Sequence, residues 1–176
     1  MDVNEKTWEE QVIRRSDETP VLVDFWADWC QPCKTLTPVL EAAVEGRDVV
    51  LAKVDVEANK ALAREYDVSG IPAVKGFRNG RVVAEFVGAR SRTAVDLFID
   101  ELTKPPVVES LEGDDEIVEA LRRRDYERAL QILLGRAEDP ERRDEARKLM
   151  VQLFAELGQD DPLAIAYRKR LAALVY

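Results

Sequence analysis

A short, almost continuously apolar run, Val21-Leu22-Val23-Asp24-Phe25-Trp26-Ala27, leads directly into Trp29-Cys30-Gln31-Pro32-Cys33-Lys34. Behind it Leu36, Val39, Leu40 and Ala43 recur at i, i+3, i+4 and i+7. The first run, introduced by Pro20, reads as a strand buried on both faces, and the recurrence reads as a helix packed along one side. Strand, cysteine turn and helix thus follow one another directly, with the strand expected at the centre of a parallel sheet. Pro38 is expected to kink the helix and Gly46 to stop it.

The two cysteines are the only two in 176 residues, so each pairs with the other or with a sulfur on another molecule. The chain has no histidine, which excludes a Ser-His-Asp or Cys-His nucleophile and any zinc site that uses an imidazole. A metal site with two thiolates and no further ligands would have to bridge subunits, so no metal and no other cofactor is expected. Met1-Asp2-Val3-Asn4-Glu5-Lys6 lacks the basic-then-apolar order of a signal peptide, and no run is apolar for long enough to span a bilayer. The expected compartment is therefore the cytoplasm, where a lone Cys-x-x-Cys reads as catalytic or metal-binding rather than as a structural staple. A net charge of −9 argues against binding a phosphate backbone, and neither a nucleic acid nor a membrane is expected as a partner.

The spacing puts Cys30 at the start of the helix and Cys33 one turn further on. Free N–H groups and the helix dipole favour an anion there, so Cys30 is expected to be the low-pKa thiolate that attacks a disulfide, and Cys33 to resolve the mixed disulfide. Pro32 fits the first turn without forfeiting a needed hydrogen bond. Asp24 is a carboxylate inside a strand that otherwise looks fully buried; desolvation should raise its pKa and let it carry protons near neutrality. It shares parity with Leu22 and Trp26, which places it beneath the motif, and it is expected to take the Cys33 proton directly or through water. Lys53, in Leu51-Ala52-Lys53-Val54, is expected to approach Asp24 and modulate its charge. Trp29 adjoins the nucleophile and, with Gln31 and Pro32, forms the expected substrate-facing surface.

Elsewhere, Thr7-Trp8-Glu9-Glu10 fits a capping box that opens a first helix running to about Arg15. A strand at Val49 to Asp55 and a helix around Ala58 to Tyr66 complete a βαβ unit. The runs Ala73 to Phe77 and Val82 to Val87 flank Arg78-Asn79-Gly80-Arg81, a strong hairpin signal. Ser91 is placed to cap a last helix carrying Val95, Phe98, Ile99 and Leu102. Lys104-Pro105-Pro106 cannot continue that helix. The expected division is a first domain over 1–104, a linker over 105–112 and a small helical domain over 113–176. In the last, helices are expected at Ile117 to Arg123, Tyr126 to Arg136, Glu141 to Leu157 and Pro162 to Tyr176. Asp125-Tyr126-Glu127-Arg128-Ala129-Leu130 and Asp160-Asp161-Pro162-Leu163-Ala164-Ile165 are weakly alike at an offset near the ~34-residue tetratricopeptide period.

The first domain resembles thioredoxin. The matching residues are Asp24-Phe25-Trp26-Ala27, Trp29-Cys30, Pro32-Cys33-Lys34, Gly70-Ile71-Pro72, Asn79-Gly80 and Val87-Gly88-Ala89. The resemblance implies an α/β thioredoxin fold, a central mixed sheet flanked by helices, with a cis Ile71–Pro72 peptide beside the cysteines. It implies that Ile71 backbone groups pair with an extended substrate, that Gly88 lines the groove, that Asp24 is the buried acid and that Lys53 supports it. The chain departs from the family at Gln31, where thioredoxins usually carry Gly and where the residue tunes redox poise. It departs again at Lys75-Gly76, in a strand that is usually apolar.

Taken whole, the chain is similar to the thioredoxin–tetratricopeptide proteins called chaperedoxins (YbbN/CnoX-like). The ending Leu157-Gly158, Asp161-Pro162-Leu163, Tyr167-Arg168 and Arg170-Leu171 carries that likeness. This resemblance implies a dithiol–disulfide oxidoreductase coupled to a client-binding helical domain. Its implied partners are disulfide-containing or unfolded client proteins, a thioredoxin reductase that recharges the couple, and a chaperonin that receives clients. The competing readings are a holdase or co-chaperone in which thiol exchange is secondary, and a helical stripe that serves as a dimer interface.

Overall fold

The computed structural model describes residues 1–111 and 116–175, and the chain falls into two compact units, Met1–Lys104 and Pro105–Tyr176. The first unit contains β1 (Val21–Trp26), α1 (Gln31–Val44), β2 (Val50–Asp55), α2 (Lys60–Glu65), β3 (Ala73–Arg78), β4 (Arg81–Val87) and α3 (Arg92–Leu102). The strands form one sheet in the order β2-β1-β3-β4. β1 is central, as its apolar composition predicts, and all of Val21 to Phe25 is buried. Its neighbours, however, are not both parallel: β2 is, with Asp24 opposite Lys53, whereas β3 is antiparallel, with Asp24 opposite Val74. The sheet is therefore mixed, because the connection from β2 through α2 returns the chain to the other side of β1 in the reverse direction.

Parity along β1 sorts the core into two layers. Leu22 packs with Leu36, Leu40 and Ala43 of α1, Val74 of β3, and Val95 and Ile99 of α3. Val21, Val23 and Phe25 face the other way, toward Trp8, Val12, Leu62, Phe77 and the partly buried Tyr66. Trp8, Tyr66 and Phe77 form an aromatic cluster with ring centroids 4.8 to 5.4 Å apart. Asp24 has the parity of Leu22 and so belongs to the α1 layer.

Several local features follow from single residues. Asn79 and Gly80 both take positive φ, 52° and 73°, as a two-residue hairpin turn requires. Ser91 caps α3 by accepting a hydrogen bond from Ala94 N. The capping box expected at Thr7 does not form. Asn4 competes successfully: its side chain accepts from the Lys6 and Thr7 N–H groups, and the Thr7 hydroxyl turns back to the Asn4 carbonyl. The segment that follows is a wide π-helical turn, Glu9–Arg14, tightening into a 3₁₀ turn, Arg15–Asp17.

The two residues that depart from the usual apolar strand are explained by their neighbours. A register shift between Gly76 and Phe77 sets Lys75 opposite Glu85, and Lys75, a buried residue, donates its ammonium to the half-exposed Glu85 carboxylate. A Cβ at Gly76 would lie 2.9 Å from Leu102 Cδ1, so glycine there makes room for α3.

The second unit packs α4 (Glu116–Arg122), α5 (Tyr126–Glu138), α6 (Arg143–Leu157) and α7 (Pro162–Val175) around Leu130, Leu133, Met150, Leu153 and Phe154. Asp125 and Asp161 each accept from N–H groups in the first turn of the helix they precede. Ala129 and Ala164, equivalent in the two weakly alike segments, are both fully buried. The linker expected over 105–112 is not wholly extended: Val107–Ser110 is a 3₁₀ turn, and Val107 is buried in this core with its N–H donated to Glu156 at 2.9 Å. Val107 is apolar enough to be drawn in, and the Glu156 carboxylate, which also accepts from Tyr126 Oη at 2.8 Å, supplies the acceptor its backbone needs. Glu112, Gly113 and Tyr176, where linker and domain limits were expected, lie outside the described residues.

Candidate functional site

The site is built from the junction of β1 and α1. Cys30 leaves the strand layer with extended dihedrals (φ −79°, ψ 99°) and occupies the N-cap of α1. Its Sγ accepts a hydrogen bond from Cys33 N at 3.2 Å, so sulfur stands where a serine or aspartate oxygen usually satisfies that donor. Pro32 lies in the first turn, where no backbone donor is missed. Cys30 and Cys33 are joined in a disulfide with their Cα atoms 5.3 Å apart, and both are buried. Ala27 packs with them, and Trp26, Val56 and Ile71 close the apolar pocket around the sulfurs.

From the couple a line of polar side chains runs along α1, passing from the buried Cys33 to the exposed Glu41. Cys33, Thr37 and Glu41 recur at i, i+4 and i+8 and share one face of α1. The Thr37 hydroxyl donates to Asp24 Oδ2 at 2.7 Å, and Glu41 Oε1 accepts from Lys53 Nζ at 2.9 Å. Asp24 is fully buried, and its second oxygen, Oδ1, has no hydrogen-bond partner. Burial pushes its carboxyl up from the usual 3.8 to about 6, against the opposing pull of the Thr37 hydroxyl and the Lys53 charge. Lys53 is held above its ordinary value, chiefly by its hydrogen bond to Glu41. Lys53 thus adjoins Asp24 across β1 and β2 but spends its ammonium on Glu41, an exposed carboxylate that costs less to leave ionised.

The remaining candidates lie around the sulfurs. Ile71–Pro72 is a cis peptide, and Ile71 packs against the cysteine pocket. Gly88 N donates to Pro72 O at 2.8 Å, and Gly88 takes φ 87° with nothing within 4 Å of where a Cβ would stand, which leaves open space beside the cis-proline turn. Trp29 is 68 % exposed, with its indole N–H donated to Glu57 at 3.2 Å. Gln31 and Pro32 are exposed at the helix start. Thr37, Glu41 and Glu57 are the contributors that reading the sequence missed. The spacing of Thr37 from Cys33 is a usable signal, whereas Glu41 and Glu57 look like any solvated carboxylate.

A cysteine pair held as a disulfide at a helix N-terminus, on this mixed sheet and beside a cis-proline turn, is the arrangement of a thioredoxin-fold protein. Comparison with known proteins agrees with that class. The thioredoxin family model matches residues 1–101, and a tetratricopeptide repeat model matches residues 118–176. The chain is 48 % identical over 86 residues to thioredoxin C-2 of Corynebacterium nephridii, covering 48 % of this chain and 80 % of that one. It is 46 % identical over 89 residues to the mitochondrial thioredoxin of Bos taurus, covering 49 % of this chain and 54 % of that one, so it spans about half the length of that relative. A bifunctional thioredoxin reductase/thioredoxin of Mycobacterium leprae is 45 % identical over 82 residues, 46 % of this chain and 18 % of that one. Among solved structures, a mutant thioredoxin from Halobacterium salinarum NRC-1 aligns with TM-score 0.55 and 40 % identity over 60 % of this chain and 91 % of its own. The chain belongs to the thioredoxin family.

Proposed function

We propose that this chain protects and reduces unfolded or oxidised cytoplasmic proteins, its helical unit holding the client while Cys30 and Cys33 exchange disulfides with it, in the manner of a chaperedoxin. The observation that carries the proposal is an open groove of about 450 Å³ in the helical unit, in a chain that also carries the redox couple. Val151, Phe154 and Leu171 supply its apolar lining, with Arg147 and Arg168 beside them. Val151 is 54 % exposed, a large apolar side chain left open on a helix whose opposite face is fully used in the core.

The chemistry runs through the couple and the polar side chains beside it. In the reduced protein, Cys30 sulfur receives the Cys33 N–H and the positive end of the α1 dipole, which favour its thiolate. The thiolate attacks a client disulfide, forming one S–S bond and expelling one client thiolate. Cys33 then gives its proton to Asp24, and its thiolate attacks Cys30 Sγ, forming the Cys30–Cys33 disulfide and expelling the client sulfur. The client gains two electrons and the couple loses two. The Asp24 proton passes to the leaving thiolate or to solvent. Lys53, through its pairing with Glu41, sets the charge beside Asp24. Trp29, Gln31, Pro32, Ile71, Pro72 and Gly88 form the surface that the client segment meets, with Ile71 backbone groups pairing to it. A thioredoxin reductase would return the couple to the dithiol, and a chaperonin would receive clients that need refolding. No metal or organic cofactor enters any step.

Three proteins test the proposal: wild type, Cys30→Ser, and a chain ending at Lys104, each assayed for suppression of client aggregation and for client disulfide reduction. Cys30→Ser is expected to abolish reduction and keep suppression; the shortened chain is expected to lose suppression. A shortened chain that still suppresses aggregation would remove the helical unit from the function. A Cys30→Ser protein that still reduces would remove the couple.

A further inference from the structure

We infer that Thr37 is a positioning residue for proton transfer, fixing which oxygen of Asp24 receives the Cys33 proton. The inference rests on the reading of Asp24 as the proton acceptor, and deepens it. Three observations carry it. Thr37 stands one turn along α1 from Cys33 on the same face, so a carboxylate bound to its hydroxyl lies beneath the Cys33 sulfur. The hydroxyl donates to Oδ2 at 2.7 Å, while Oδ1 of the same fully buried carboxylate has no partner. The neighbouring charges are already committed: Lys53 on β2 is bonded to Glu41 on α1, and β3 presents Val74 at this level. Thr37 is therefore the one hydrogen-bond donor to the carboxylate among the described residues.

This arrangement divides the work of the two oxygens. Oδ2 is occupied by the Thr37 O–H in the ionised state, so the incoming proton binds at Oδ1, the open position. Without the hydroxyl, both oxygens are buried and unpartnered. The carboxylate then loses its stabilising donor, holds its proton to higher pH and is free to rotate about χ2, whose potential is soft. The proton itself moves as before, from Cys33 sulfur to Asp24 and onward to the leaving thiolate, and the electron count is unchanged.

The test is the pH profile of disulfide reduction for the full chain carrying Thr37→Val, Thr37→Ser or Asp24→Asn, and for the Thr37→Val/Asp24→Asn pair. Thr37→Val should move the limb governed by Asp24 to higher pH by about one unit, which is about tenfold slower exchange on the slope and convergence with wild type above it. Thr37→Ser should restore the wild-type limb, and Thr37→Val should add nothing in the Asp24→Asn background. Thr37→Ala, which brings no new methyl group to the site, and direct titration of the Asp24 carboxyl by NMR in each variant read the same shift if the valine variant folds poorly. A limb that Thr37→Val leaves in place while Asp24→Asn abolishes it overturns the role of Thr37 alone. A shift that persists without the Asp24 carboxyl also overturns it. A limb that Asp24→Asn leaves unchanged overturns the role of Asp24 and that of Thr37 with it.

Discussion

Asp24→Asn should favour the stability of the first unit more at neutral pH than in acid, by the amount the buried carboxyl loses on ionising. The carboxyl is fully buried, and its pKa is raised from 3.8 to about 6, mainly by desolvation. Between those values the folded chain keeps a proton that the unfolded chain has released, so stability falls as pH rises through that window. Above about pH 6 the whole deficit is present. A shift from 3.8 to about 6, at 1.36 kcal/mol per unit, makes it ~3 kcal/mol. Asparagine can still accept from Thr37, but its buried amide N–H groups lack acceptors and cost about 1–3 kcal/mol at every pH. The quantity to read is therefore the change in the variant-minus-wild-type difference between about pH 3 and pH 8, from which that constant cost cancels. Urea unfolding of the oxidised protein followed by tryptophan fluorescence measures it cleanly, because Trp8, Trp26 and Trp29, the chain's three tryptophans, all lie in the first unit. Wild-type and variant curves that run parallel across that range would refute the account of Asp24 as a carboxyl held protonated by burial.

Two further substitutions probe the strand that departs from the usual pattern. Glu85→Gln should destabilise the first unit by about 1–3 kcal/mol and more than Lys75→Met does, because the first leaves the ammonium of a buried lysine without its counter-charge and the second removes it; equal effects in urea melts would deny the pair that role. Gly76→Ala should cost about 1–3 kcal/mol by forcing its Cβ against Leu102, and Leu102→Val in the same chain should recover part of the loss; simple additivity of the two would show that they do not touch.

Much of this fold could be read from local chemistry, and the reasons for the rest are specific. β1 and α1 were legible because one is continuously apolar and the other recurs with helical spacing, and the Asn79-Gly80 turn because few residues accept positive φ. The mixed character of the sheet was not legible from β1 itself, since a strand buried on both faces looks the same beside either kind of neighbour. The pairing of Lys75 with Glu85 depends on a register shift: a regular two-residue hairpin would set Ala84 there, and nothing in the local sequence announces the extra residue. At the site, burial of Asp24 followed from its surroundings in β1. The partner of Lys53 did not, because a long flexible side chain between two carboxylates takes the one cheaper to ionise, and burial decides which that is. Thr37 lay in view, four residues after Cys33, and only knowledge that Asp24 faces α1 gives it meaning. The capping box at Thr7 failed for a similar reason, since Asn4, three residues earlier, takes the Thr7 N–H that Glu10 would have satisfied and draws the Thr7 hydroxyl to its own carbonyl.

If client holding feeds the redox couple, the full chain reduces an unfolded, disulfide-containing protein faster, relative to a small disulfide, than a chain whose groove is blocked. Val151→Glu places a charge in the groove of the helical unit without altering the first unit. This variant should reduce the small disulfide at the wild-type rate and the unfolded protein several-fold more slowly. Equal rates for variant and wild type on both substrates would contradict that coupling.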